Sequence, residues 1–302
     1  PRRERTLAEL LTYLGYRTGH FGKWHVGTLT TSVQDSNRGG PRGKQHFSPP
    51  WKHGFQVCFS TEAKVPTWDP LLKPRTAQGR RWWNPVTDVA DAVPYGTRYW
   101  NQRGESVNKN TRGDDSRVIM DRAVPFIESA ARDKSPFLAV IWFHAPHLPV
   151  VAGPKYTALY ADQPDYHRHY YGCITALDEQ VGRLRATLDR LGISGNTMLW
   201  YSADNGPEGN DKAPGTTKGL RGRKRSLYEG GIRVPGIVTW PAVVKTGQVT
   251  DCPGVTSDYL PTILDVLDFL PPRKFPPDGV SLLPVLKGQR DWKRPQPILF
   301  ES

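Results

Sequence analysis

Leu7, Leu10, Leu11 and Leu14 recur at the three- and four-residue spacing of one helical face. Just before them, Thr6-Leu7-Ala8-Glu9 has the Thr-x-x-Glu spacing of a capping box, and Gly15 supplies a stop. Residues 16–23 then read as a short strand. Asp114, Asp115 or Ser116 caps a second predicted helix reaching about Arg132, with Ile119, Ala123, Ile127 and Ala130 on its apolar face. Pro125 inside that pattern predicts a kink or a shifted start. Residues 136–143 are a continuous apolar run, the pattern of a strand buried on both faces of a parallel sheet. A long amphipathic helix is predicted over 164–191, carrying Ile174, Leu177, Val181, Leu184, Leu188 and Leu191. Residues 197–202 predict another buried strand, ending just before Asp204, and 236–240 a further one. A last helix starts at Ser257 with Leu260, Ile263, Leu264 and Leu267. Strands alternating with helices predict an α/β fold, a mostly parallel central sheet with helices on both faces. Residues 28–112 have no strong period and are rich in Gly, Pro, Asn, Arg and Trp. They read as a loop-rich insertion region within one domain.

Composition narrows this picture. The longest apolar run, residues 137–143, is far too short to cross a bilayer. With 29 Gly and 28 Pro the chain is loop-rich, yet its 10 Trp, 12 Tyr and 10 Phe argue against disorder. Cys58, Cys173 and Cys252 form no CxxC pair and too few cysteines for a disulfide framework. Lys and Arg number 41 against 29 Asp and Glu, a net charge of +12 that points to an anionic partner. The densest basic cluster is Arg221, Arg223, Lys224 and Arg225. Alone it fits either a nucleic-acid patch or a solvated loop, and no helix-turn-helix, zinc finger or RNP-like motif accompanies it. The chain opens at Pro1 and stops just after Ile298-Leu299-Phe300, which reads as a processed or incomplete sequence.

In open α/β sheets ligands bind beyond the carboxyl ends of the strands. The segments there are Gly22-Lys23-Trp24-His25-Val26-Gly27, His144-Ala145-Pro146-His147-Leu148-Pro149 and Asp204-Asn205-Gly206. A fourth, Lys224 to Pro235, contains Glu229-Gly230-Gly231-Ile232-Arg233. Asp204 and Asn205 offer hard oxygen donors suited to Ca²⁺ or Mg²⁺, although Asp-Asn-Gly is also a common turn. Lys23 and Lys224 can clamp an oxyanion, and the histidines can move protons near neutral pH.

Taken together these segments resemble the sulfatase family of the alkaline phosphatase superfamily, of the arylsulfatase and N-acetylgalactosamine-6-sulfatase type. The resemblance covers residues 6–27, Gly54-Phe55, 114–171 and 196–267. Lys-Trp-His within its glycine-flanked hexapeptide is specific, as is Glu-Gly-Gly-Ile-Arg-Val-Pro with a Lys five residues before its Glu. It implies an alkaline phosphatase-like fold, incomplete at both ends, that hydrolyses a sulfate ester of a carbohydrate or an aryl sulfate. Lys23 and Lys224 would hold the sulfate oxygens, and His25 would contact the nucleophile. His147 would act at the leaving oxygen. Asp204 and Asn205 would bind one divalent ion, Ca²⁺ rather than Mg²⁺. Glu229, Gly230, Gly231 and Arg233 would shape the loop carrying Lys224, while His144 lacks a counterpart and reads as packing. The basic run becomes an active-site rim for an anionic sugar rather than a nucleic-acid patch. Family habit implies a periplasmic, secreted or lysosome-like compartment.

The family's nucleophile is a formylglycine made by a formylglycine-generating enzyme from the first residue of Cys/Ser-x-Pro-x-Arg. No such motif occurs in these 302 residues; Ser48-Pro49-Pro50-Trp51-Lys52 comes nearest but ends in Lys. The family's paired Asp metal ligands are absent as well. The chain as given is therefore expected to be inactive, a catalytic domain read in part. Two other readings remain: a phosphoesterase of the same superfamily, and a non-catalytic relative that binds sulfated glycans.

Overall fold

The computed structural model describes residues 5–36, 39–77, 79–210, 212–270 and 277–300. The chain divides into two compact units, Thr6–Thr187 and a second from Leu188 onward.

The first unit opens with α1 (Leu7–Tyr13), whose capping box is formed: Thr6 accepts from the Glu9 N–H at 3.1 Å, and the Glu9 carboxylate accepts from the Thr6 N–H at 2.8 Å. β1 (Arg17–Lys23) follows and is the spine of the sheet. The remaining elements are β2 (Val57–Thr61), β3 (Leu72–Pro74), β4 (Ala92–Pro94), β5 (Tyr99–Asn101), β6 (Ser106–Val107), α2 (Asp115–Arg132), β7 (Phe137–Trp142), α3 (Pro154–Thr157) and α4 (Asp165–Arg190). The five-stranded sheet has the order β6-β5-β2-β1-β7, and β3 pairs with β4 separately. β1 is parallel to both β2 and β7, whereas β2–β5 and β5–β6 are antiparallel. The central sheet of the α/β fold is therefore mixed. Its antiparallel half comes from 28–112, the region read as insertion loops.

Successive residues of a strand point to opposite faces, which shows how the helices flank β1. The Thr18 hydroxyl lies 3.2 Å from that of Thr12 on α1. Three residues on, the Phe21 ring packs against Phe126 of α2 at 5.5 Å. α1 and α2 thus cover opposite faces. Asp114 caps α2 as expected, accepting from the Arg117 N–H at 2.8 Å. Pro125 lies inside a helix that neither starts late nor stops there.

Two strands are less covered than their apolar runs predict. β7, read as buried on both faces, is an edge strand whose residues are half-buried, and Trp142 is 45% exposed. Its one partner among the described residues is β1. In the second unit β8 (Leu199–Ser202), also read as buried, pairs antiparallel with β9 (Gly236–Thr239) in a two-stranded sheet, with Tyr201 and Ser202 exposed. Between them lies the single turn α5 (Glu229–Ile232); after them come α6 (Tyr259–Val266) and α7 (Leu283–Leu286). Asp258 ties this end together. It accepts both guanidinium nitrogens of Arg294 at 2.7 and 2.8 Å and the Val280 N–H at 2.9 Å. Among the described residues no helix is long and apolar enough to cross a membrane.

Candidate active site

In the first unit β1 and β7 run parallel with Gly22 opposite Trp142, so Lys23 and the turn carrying His147 leave the sheet at the same, carboxyl, end. Lys23-Trp24-His25 prolongs the pairing with β2: the Trp24 N–H donates to Thr61 O at 2.9 Å and the His25 N–H to Glu62 O at 3.2 Å. Trp24 is buried, with its indole N–H on Ser48 O at 2.7 Å. His25 then turns outward at φ 46°, left-handed backbone that costs a non-glycine residue about 1 kcal/mol. Lys23 is half-buried and His25 exposed.

His147 is half-buried in a turn closed by its own N–H to His144 O at 2.7 Å. Its Nδ1 lies 2.7 Å from Leu148 O. A carbonyl only accepts, so Nδ1 is the donor in this contact and carries a proton. Under this turn sits a network that sequence reasoning missed. His144, buried as its packing role requires, places Nδ1 2.7 Å from Asp115 and Nε2 2.7 Å from the Thr61 hydroxyl. Tyr99 donates to the same Asp115 carboxylate. The network joins the carboxyl end of β2, the start of α2 and the loop after β7, so it fixes the turns carrying His25 and His147. Beneath it His20 is boxed by Trp24, Phe55 and Trp142 at 5.0–5.4 Å, with Nδ1 2.7 Å from Ser60. Burial, then the nearby His144, lower its pKa to about 3, so His20 is a neutral core residue.

In the second unit Asp204 and Asn205 follow β8, Asp204 exposed and Asn205 half-buried. The Asn205 amide nitrogen donates to Gly206 O at 2.9 Å, which leaves its carbonyl oxygen as a possible ligand. This turn is knitted to the Lys224 loop. The Gly206 N–H donates to Gly231 O at 2.8 Å, the Gly230 N–H to Arg221 O at 2.8 Å, and the Lys224 N–H to Pro207 O at 3.1 Å. A Cβ on Gly206 would run into Gly230 O, and one on Gly230 into Gly222 O. Glycine is what lets these backbones touch. The Glu229–Ile232 turn thus does shape the loop that bears Lys224. An open basin of about 810 Å³ runs along the loop, lined by Arg221, Arg223, Lys224 and Arg225.

The chain matches the family model described as Sulfatase over residues 1–269. It belongs to the sulfatase family. Among its relatives, N-acetylgalactosamine-6-sulfatase of Mus musculus is 29% identical over 96% of this chain and 50% of its own length. Arylsulfatase G of Rattus norvegicus is 30% identical over 96% of this chain and 54% of its own. The chain thus spans about half the length of such sulfatases. Among solved structures, Ps i-CgsB in complex with k-i-k-neocarrahexaose has a TM-score of 0.73 at 24% identity, covering 94% of this chain and 58% of that one. PsFucS1 sulfatase from Pseudoalteromonas sp. gives 0.72 at 23%, covering 98% and 57%. These likenesses show the sulfatase fold.

Lys23, His25 and His147 therefore lie at strand ends of the first unit, and Asp204, Asn205 and Lys224 on adjoining loops of the second. Calcium takes six to eight oxygens. Among the described residues no three His, Cys, Asp or Glu side chains gather as a metal cluster. Asp204 and Asn205 have the right chemistry but do not by themselves fit the ion.

Proposed function

We propose that this chain carries the sulfate-holding part of a sulfuric ester hydrolase acting on a sulfated carbohydrate or an aryl sulfate. The observation that carries the reading is the close backbone packing that fixes Lys224 beside the Asp204-Asn205 turn. A loop fixed in this way presents a cation without having to reorganise, as transition-state charge stabilisation requires. The relatives support the substrate class: two are named for aryl or N-acetylgalactosamine-6-sulfates, and one structural neighbour holds a neocarrahexaose.

Within this reading Lys224 holds a sulfate oxygen and offsets the negative charge that grows as the ester S–O bond breaks, the role that the family resemblance also gives Lys23. His147, protonated on Nε2, gives its proton to the departing alcohol oxygen. His25 contacts the nucleophile. Asp204 and Asn205 would offer a divalent ion two oxygens, too few to hold it by themselves. The nucleophile implied is a formylglycine, and these 302 residues hold no precursor motif for it. The chain by itself is therefore expected to bind sulfate without cleaving aryl sulfates. The same resemblance assigns maturation to a formylglycine-generating enzyme.

The test is calorimetric titration of the chain with sodium sulfate at fixed ionic strength. Lys224→Met should weaken binding at least tenfold, about 1.4 kcal/mol. Equal affinity in the two proteins would remove Lys224 from the site.

A further inference from the structure

Lys224 does not meet the basin alone. Its ammonium lies 3.6 Å from one carboxylate oxygen of Glu208, and the Arg225 guanidinium holds the other at 2.5 Å. Arg223 reaches the Glu208 backbone, donating to its carbonyl at 3.2 Å and to that of Gly215 at 3.0 Å. Arg221 instead lies over the Tyr228 ring at 3.7 Å. One carboxylate is therefore shared between two consecutive cations, where it offers two oxygens as a bound sulfate would.

Arg225 keeps this place against its backbone preference. It sits at φ 73°, and elsewhere along the loop left-handed backbone is given to Gly209, Gly215, Gly219 and Gly222, with Lys218 the other exception. A side chain held in a conformation that glycine adopts freely signals a task for that side chain. With 73% of that side chain exposed, the task is not packing; its contact is Glu208.

We propose that Glu208 is an internal counter-anion for Lys224, sharing that ammonium when no ligand is present and yielding it to an incoming sulfate. Arg225 retains the displaced carboxylate. Glu208 is a positioning residue whose remaining charge weakens the hold on free sulfate, the product of the reaction, and so favours its release. The inference rests on the reading of Lys224 as a sulfate ligand.

The test is titration of the chain with sodium sulfate at constant ionic strength, using Glu208→Gln, Arg225→Gly, the double variant and Lys224→Met. Glu208→Gln should tighten sulfate about twofold to fivefold, the scale of a partly exposed ion pair. Arg225→Gly relieves the left-handed backbone, so a lower affinity cannot be put down to strain. It should weaken sulfate by a similar factor, because Glu208 then stays on Lys224. The double variant should bind like Glu208→Gln, since Arg225 acts through the carboxylate. Weaker binding by Glu208→Gln, or a double variant that loses affinity as much as Arg225→Gly does, overturns the inference. If Lys224→Met abolishes binding while Glu208→Gln changes nothing, the inference fails and the sulfate reading stands. If Lys224→Met changes nothing, both fail.

Discussion

Gly206 shows how much of this chain's chemistry depends on atoms that are missing. Its backbone touches Gly230, which in turn touches Gly222, and no side chain fits at either contact. Gly206→Ala should therefore separate the Asp204-Asn205 turn from the Lys224 loop. Urea denaturation should show a loss of about 2 kcal/mol, in the range of overpacking changes, together with weakened sulfate binding. A variant with native stability and native affinity would mean that the contact positions nothing. Lys23, His25, His147, Asp204 and Lys224 were legible as candidates because their residue types recur in a known order. Asp115, Thr61 and Tyr99 were not, because a hydroxyl, a carboxylate and a phenol far apart in sequence gain meaning only when the sheet joins them around His144.

At the scale of elements, the start of α2 sets a pH response. Burial, then repulsion from Asp115 and Glu179, outweighs the cap bond to Arg117 and raises the Asp114 pKa to about 7. The folded chain then holds a proton that the unfolded chain has released above about pH 4. Stability from this group is present at low pH and is lost as pH rises from about 4 to about 7. Asparagine caps a helix as well as aspartate and cannot ionise. Asp114→Asn should therefore match the parent near pH 4 and exceed it by more than about 1 kcal/mol at pH 8, read from thermal midpoints across that range. A deficit that is constant with pH would contradict this. The helices were legible because caps and apolar periodicity are local signals; α1, α2 and α4 lie within two residues of their predicted ends. β2 was not, since Val-Cys-Phe-Ser-Thr is short, half polar and defined by a partner strand dozens of residues away. An apolar run likewise cannot reveal whether a neighbouring strand covers it, which is why β7 was read as central.

The second unit also has one point on which its stability turns. Asp258 is fully buried and joins Arg294 to the backbone near Val280. Removing one partner of such a pair leaves a buried charge, at a cost of about 3–5 kcal/mol. Arg294→Met should lower the unfolding midpoint of this unit in calorimetry while leaving that of residues 6–187 in place. A common shift of both units would show instead that they unfold as one.

For the whole molecule, the net charge of +12 and the basic basin suit the anionic substrate proposed above. The most direct measurement is hydrolysis by the complete reading frame that encodes these residues, co-expressed with a formylglycine-generating enzyme. p-Nitrophenyl sulfate would be assayed beside a p-nitrophenyl phosphonate monoester. Sulfate release should fall by at least about a hundredfold in Lys224→Met, with the phosphonate the poorer substrate. Phosphonate cleavage without sulfate cleavage, or sulfate release indifferent to Lys224, would overturn the sulfatase reading.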